Sequence, residues 1–589
     1  MTTHSFVRFL SRFGLAASGI CATALLAGAM WIWMSGGSSI AAPPETKAAV
    51  ASGSSASGGK APAVNLPPQV LKINEAIRRG WEEKNVKPAP PATESEWCRR
   101  VYLDVLGRIP SYQEMNAHLA NTSPARRVEL INQLLDGETY TEEFARNWTT
   151  IWTNILIGRS AGTERNSMVN REGMQKFIRD SFARNKPYND FVYELVTATG
   201  SNTPGAENFN GAVNFLTNKL EEKAAQATAE TSKIFLGMQV QCTQCHNHPF
   251  NEWKQKKFWE MNAFFRQTTA LRRFKPGTRD IMGVELANED FAGEGSNSQE
   301  AEIYYELRNA QLKVAYPTFV DGTEIGRSGH LSDVNRRNEL GKLIVNSPFM
   351  GQALVNRLWS HFLGYGFTKP IDDMGPHNGP THPDLLQYLG EEFREHSYSV
   401  KDVMRWIVLS EPYALASKIT ASNKIDDPSV GEKPLFSRFY LRQMQAEQLY
   451  ESLLVATQAH KTRGSFEEEE KQKSEWLQQF VNAFGTDEGD ESTSFNGSIP
   501  QALMMFNGDL MKKATDGAQG SFLHTIAHSK LRPQQQIDYL FMAALGRRPN
   551  SQELQAANAL LGARKGDPVA ALQDVWWVVL NTNEFILNH

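Results

Sequence analysis

Five consecutive residues, Cys242-Thr243-Gln244-Cys245-His246, spell CxxCH and run on into Asn247-His248-Pro249-Phe250. The spacing suits covalent attachment of a c-type haem. Two thiols three residues apart can each form a thioether with one vinyl group on a single haem edge, and the adjacent imidazole then lies under the iron as proximal ligand. The predicted haem c site is therefore Cys242, Cys245 and His246. Two other chemistries use the same residues. Cys242, Cys245, His246 and His248 are candidate zinc ligands, with His361, His377 or His382 able to replace a crowded histidine. The cysteine pair is also a candidate disulfide, structural or redox-active. Ile234, Met238, Cys242 and Cys245 fall at i, i+4, i+8 and i+11, which puts the cysteines on or just beyond the apolar face of a helix. Phe250, Trp253, Phe258, Trp259, Phe264 and Phe265 follow, apolar cover for a haem or the material of an ordinary core.

A second polar cluster comprises His361, Asp372, Asp373, His377 and His382. Paired carboxylates and three histidines in so short a stretch are candidates for a metal or acid–base site. Against that, Asp384 can cap the helix that follows, and Arg357 can pair with Asp372 or Asp373. With a haem in place, His361, His377, His382 and Met261 are candidate distal ligands.

The elements that must hold these residues read as helices. Phe144, Trp148, Ile151, Trp152 and Ile155 make one apolar face, with Thr139 and Glu142 as a candidate capping box. Similar stripes run through Val70-Ile73-Ile77-Trp81 and Leu572-Trp576-Val579-Leu580. Strands are predicted within 267–325, where Tyr304 to Val320 is rich in aromatic and β-branched residues. LGRxPxxQE occurs twice, from Leu106 to Glu114 and from Leu545 to Glu553; glycine ends one helix and proline opens the next. The polar interval 461–498, with the acidic run Glu467 to Glu470, reads as a solvated loop.

The amino-terminal residues read as an export segment. Arg8 and Arg12 precede an uncharged run from Gly14 to Met34, and Ser39-Ile40-Ala41 resembles a signal cleavage site. Cleaved, it is a signal peptide; uncleaved, residues 14–34 are a single transmembrane anchor. Residues 42–66, rich in Ala, Ser, Gly and Pro, read as a flexible tether.

The whole chain has 589 residues, 41% of them apolar and 21% charged, which is globular composition. With 61 Lys+Arg against 65 Asp+Glu the net charge is −4, so no basic field for nucleic acid exists. Four cysteines exclude a disulfide scaffold.

Several motifs in order carry a resemblance that extends over the chain after the tether. Val101-Tyr102-Leu103-Asp104-Val105-Leu106-Gly107, Lys186-Pro187-Tyr188-Asn189-Asp190-Phe191-Val192 and the stretch Phe235 to Phe250 are similar to the PSCyt-type domain of exported planctomycete proteins. Asn356-Arg357-Leu358-Trp359, Asp372 to Pro383, Pro500-Gln501-Ala502-Leu503 with Asn507-Gly508, and the ending Leu580 to His589 resemble its PSD-type partner. The resemblance implies a cytochrome-like label resting on CxxCH, no established activity, and association with exported degradation systems such as those for polysaccharides. The Cys-x-Cys pair that relatives often carry before Ser498 is missing, which leaves Cys242 and Cys245 as the close cysteine pair.

The expected organisation is a mainly α, multi-helix two-domain protein with a small β insertion near 267–325. Its segments are 1–41 signal peptide or anchor, 42–66 linker, 67–266 helical PSCyt-type domain, 267–330 β-containing connector and 331–589 helical PSD-type domain. The expected function is that of an exported monohaem redox or electron-transfer protein in the periplasm or cell envelope. Its partners would be a redox protein or envelope polysaccharide-degradation proteins, with no nucleic acid. The alternatives are a haem-free envelope scaffold with a zinc site or disulfide, and a metal-dependent hydrolase. Cys98 is either free or paired with a partner chain.

Overall fold

The computed structural model describes residues 65–249, 251–459, 466–485, 499–564 and 567–589. The export segment, most of the tether and the polar stretch 486–498 lie outside the described residues. Among the described residues no helix is long and apolar enough to cross a membrane.

The protein is mainly α with a small β component. The helix Pro68–Glu83 buries Val70, Ile73, Ile77 and Trp81, the stripe read from the sequence. The helix Thr141–Ile157 buries Phe144, Trp148 and Trp152, while Ile151 and Ile155 pack at the margin. Burying each large apolar side chain contributes roughly 1.5–3 kcal/mol. The capping box expected from Thr139 and Glu142 does not form: Thr139 lies in a 3₁₀ turn, Glu138–Tyr140, that leads directly into the helix, whose N-cap residue is Tyr140.

The longer strands fall within 267–325, where the sequence placed them, while a short edge strand from residues 200–201 was not foreseen. Thr268–Phe274 and Ile281–Asn288 pair antiparallel, and Gly200–Ser201 joins the far edge of the second strand. Ile303–Glu306 pairs with Leu312–Ala315 as a separate hairpin. A third small sheet was not foreseen: Arg442–Gln443 pairs with Leu587–Asn588.

The polar interval corrects the sequence reading in part. Phe466–Phe484 is a helix, and Trp476, Phe480 and Phe484 are buried on it. The acidic run lies in its first turns rather than in a loop.

Two apolar cores result. One runs from Val70 to Tyr440, with Met542, and holds Trp97, Trp148, Trp152 and Trp359. The other takes Met444 to Ile586 together with Leu103 and Ile109. The first LGRxPxxQE segment thus delivers residues into the second core. There the first copy meets the helix that leads into the second, Pro533–Leu545: the Tyr112 ring stacks on Tyr539 at 4.0 Å. Gly107 and Gly546 end their helices in the left-handed region, at φ 75° and 71°. Arg108 donates to both carboxylate oxygens of Glu114 at 2.8 and 2.9 Å, and Arg547 does the same to Glu553 at 2.8 Å. Each arginine also reaches a second carboxylate, Glu143 or Glu584. Cys98 is fully buried in the first core, which removes it from any pairing with another chain, and burial pushes its thiol well up.

Candidate functional site

The cysteines do not continue a helix. Glu221–Leu236 stops at Gly237, which adopts φ 66° and closes the helix by donating to Ser232 O. After this stop the chain makes a 3₁₀ turn, Gln241–Gln244, with Cys245 as its C-cap. Thr243 anchors the turn from within: it is fully buried, and its hydroxyl donates to Val240 O at 2.6 Å. In a 3₁₀ turn side chains three apart eclipse one another. Cys242 and Cys245 therefore share the solvent side, and both carry free, exposed thiols.

His246 follows with a defined tautomer. Its Nδ1 lies 2.7 Å from the Asn247 carbonyl oxygen. A carbonyl only accepts, so Nδ1 carries the proton and Nε2 keeps its lone pair. The loop is held against the helix Gln255–Asn262 and the β hairpin. Gln255 donates its backbone N–H to Asn247 Oδ1 and its amide to Gln244 O and Glu306 O. Trp259 Nε1 donates to Gln244 O at 3.0 Å. The aromatic residues downstream are spent on the core: Phe258, Trp259, Phe264 and Phe265 are buried, and Trp259 stacks on Tyr305. Met261 is buried among them.

Part of the second polar cluster comes to this loop. Met374 donates its N–H to Gly237 O at 2.7 Å, and Gln239 donates to Asp372 Oδ1 at 2.7 Å. Lys233 lies 3.6 Å from the other Asp372 oxygen. The rings of His248 and His377 are 6.3 Å apart, and Nε2 of His377 lies 3.1 Å from both Asp373 oxygens. His248 accepts the Asn251 N–H on Nδ1 at 3.1 Å.

The other two histidines have separate surroundings. His361 donates from Nε2 to the Asp104 carbonyl at 3.0 Å and packs on Trp148; burial, then Arg442, hold its pKa below the ordinary value. His382 lines an open cleft of about 1060 Å³ with Arg79, Lys84, Lys424 and Lys433. Burial and Arg79 push His382 down to about 4, so it is neutral near pH 7. His382 is also the N-cap residue of Pro383–Glu395, and no side chain caps that helix. Asp384 sits in its first turn instead. Among the described residues no three of His, Cys, Asp and Glu stand close enough to hold a metal ion.

One buried polar hub escaped the sequence reading. Asp104 accepts from Arg442, Tyr413 and Asn588. The local sequence Leu103-Asp104-Val105 offers one sign, a carboxylate between apolar residues, but nothing in it points to the partners.

Gly237 connects the two parts of the site. A Cβ there would stand 2.4 Å from Met374 Cε, and an L-residue at positive φ costs roughly 1–2 kcal/mol. Gly237→Ala is expected to lower the urea midpoint accordingly and to speed proteolysis within 372–378. An unchanged cleavage rate would mean that Met374 simply moves aside.

These features define a class: a mainly helical protein whose CxxCH turn is braced by a polar loop from later in the chain. Residues 72–270 match the family described as PSCyt2, protein of unknown function (DUF1549). Residues 336–561 match PSD1, protein of unknown function (DUF1553). The chain belongs to the family in which these two modules follow one another in that order. No curated protein and no solved structure matches it.

Proposed function

We propose that this is an exported monohaem c-type redox protein, with Cys242 and Cys245 as thioether donors and His246 Nε2 as proximal ligand. The observation that carries the reading is the CxxCH turn itself. Both thiols are free, exposed and on one side of a 3₁₀ turn, and the neighbouring imidazole has its proton fixed on Nδ1. That donor set fits a haem. Each thiol would add S and H across one vinyl double bond, so attachment needs no net oxidant. When bound, the iron would supply one-electron exchange. The chain's own part is to orient His246 through Asn247 and to brace the loop through Gln255 and Trp259. Attachment of this kind follows export, which agrees with the basic-then-apolar start of the sequence and with a place in the cell envelope. A redox protein is the partner this reading calls for.

The test is a denaturing gel stained for haem peroxidase activity, with the full chain made in a host that matures c-type cytochromes. A stained band in the parent, absent from Cys242→Ala/Cys245→Ala, is expected. No stain beside a known cytochrome that stains in the same host would sink the reading.

A haem-free envelope binding protein is the second reading. Its support is that Phe258, Trp259, Phe264 and Phe265 are packed into the core rather than lining a slot beside His246. The same gel decides between the two.

A further inference from the structure

We infer that His524 and His528 form a two-imidazole chelate for a first-row divalent metal, zinc being the ion proposed. The pair lies on Phe522–Ala527, a short helix with His528 at its C-cap. Its inner face is fixed. Leu523 and Ile526 are buried in the second core, and Gln536 donates its amide to the Ile526 and Ala527 carbonyls at 3.0 and 3.2 Å. The histidines stand on the other side, His528 exposed and His524 half-buried. Residues four apart on a helix are neighbours. Here the two rings are 4.1 Å apart with planes 24° from parallel.

The hydrogen bonding leaves donors available. His528 Nδ1 is 2.9 Å from the His524 carbonyl oxygen, so the proton is on Nδ1 and the Nε2 lone pair is free. The His524 ring takes no hydrogen bond among the described residues. Metal-binding histidines commonly have the second nitrogen tied to a carbonyl in this way. Neutral imidazole nitrogen is a good zinc ligand, and water would complete the tetrahedron because among the described residues no third protein donor converges there. The site uses no residue of the CxxCH loop and stands whether or not the chain carries haem.

The experiment is a calorimetric titration of zinc chloride into the full chain, purified without a histidine tag. The parent is the Cys242→Ala/Cys245→Ala variant, which removes competing thiols. Near neutral pH, His524→Gln and His528→Gln are each expected to lose one zinc equivalent or to weaken it by roughly tenfold or more, since a chelate needs both arms. Unfolding curves of the variants should match the parent, because neither ring belongs to the core. Titrations of the variants that superimpose on the parent would overturn the proposal, and so would a loss in one variant alone.

Discussion

Asp104→Ala is expected to lower the unfolding free energy by roughly 3–5 kcal/mol, the cost of leaving a buried charge without its partner. The Asp104 side chain is 1% exposed and that of Arg442 is 9% exposed. Arg442 Nη2 donates to both Asp104 oxygens, at 2.7 and 2.8 Å. The Tyr413 hydroxyl donates at 2.8 Å and the Asn588 amide at 2.7 Å. Without the carboxylate, Arg442 keeps, among the described residues, the Phe362 carbonyl at 3.1 Å, and Tyr413 and Asn588 lose an acceptor each. Burial and Asp104 together push the Tyr413 phenol well up, so it remains a donor throughout the accessible pH range. Asp104→Asn keeps the shape but not the charge and should fall between parent and alanine variant. Urea titration followed by tryptophan fluorescence reads the effect. A shift of under about 1 kcal/mol for Asp104→Ala would mean that water replaces the carboxylate and the hub is not sealed.

The second large effect is a pH-dependent one at the first LGRxPxxQE segment. Burial alone would raise the Glu114 pKa. The hydrogen bond and charge of Arg108, with Ser111, outweigh it and hold Glu114 down at about 2, against an ordinary 4.5. A carboxylate with a depressed pKa adds stability that is complete above its unfolded value and is lost as pH falls through the folded one. The window here is from about 4.5 down to about 2, and the contribution is roughly 3 kcal/mol. Arg108→Met should therefore cost roughly 3 kcal/mol near pH 7. The gap between parent and variant should close as pH falls toward 2. Arg547→Met at the second copy should cost less, because the Arg547 side chain is 31% exposed and that of Arg108 is 7%. Urea midpoints measured across the acid range test this, and a gap that does not narrow with acid would assign the loss to packing instead of charge.

What the sequence revealed follows from how local each signal is. The stripes through Trp148 and Trp81 were legible because a 3.6-residue period needs no knowledge of the partner. The repeat was legible as a string, and its structural sense proved larger than the string. Thr141-Glu142-Glu143-Phe144 and Thr582-Asn583-Glu584-Phe585 supply the second carboxylate of each clamp, from 35 and 37 residues away. That shared Thr-x-Glu-Phe was a visible signal. The end of the helix at Leu236 was also visible, since glycine in the next position is a common stop. The apolar spacing that runs on from Ile234 to Cys245 masked it. The helix Phe466–Phe484 was hidden by its own charges, although Trp476, Phe480 and Phe484 keep helical spacing. The partners of Asp104 and the meeting of the 372–378 loop with the CxxCH turn could not be read, because both depend on residues brought together from far along the chain.

The helix Glu94–Leu106 has a consequence for the order in which the protein can take shape. Arg99 finds its acceptors at Ala544 and Phe585, and Arg100 reaches His589, 489 residues away. At a synthesis rate of roughly 5–20 residues per second, the bonds from this helix to those residues must wait roughly 20 s or more after the helix itself is made. During that time Arg99 lacks both of these acceptors, while Arg100 can already reach the carbonyls of Tyr413 and Leu415. Until residues 544–589 are made, the Glu94–Leu106 helix lacks the acceptors that tie it to that region of the second core.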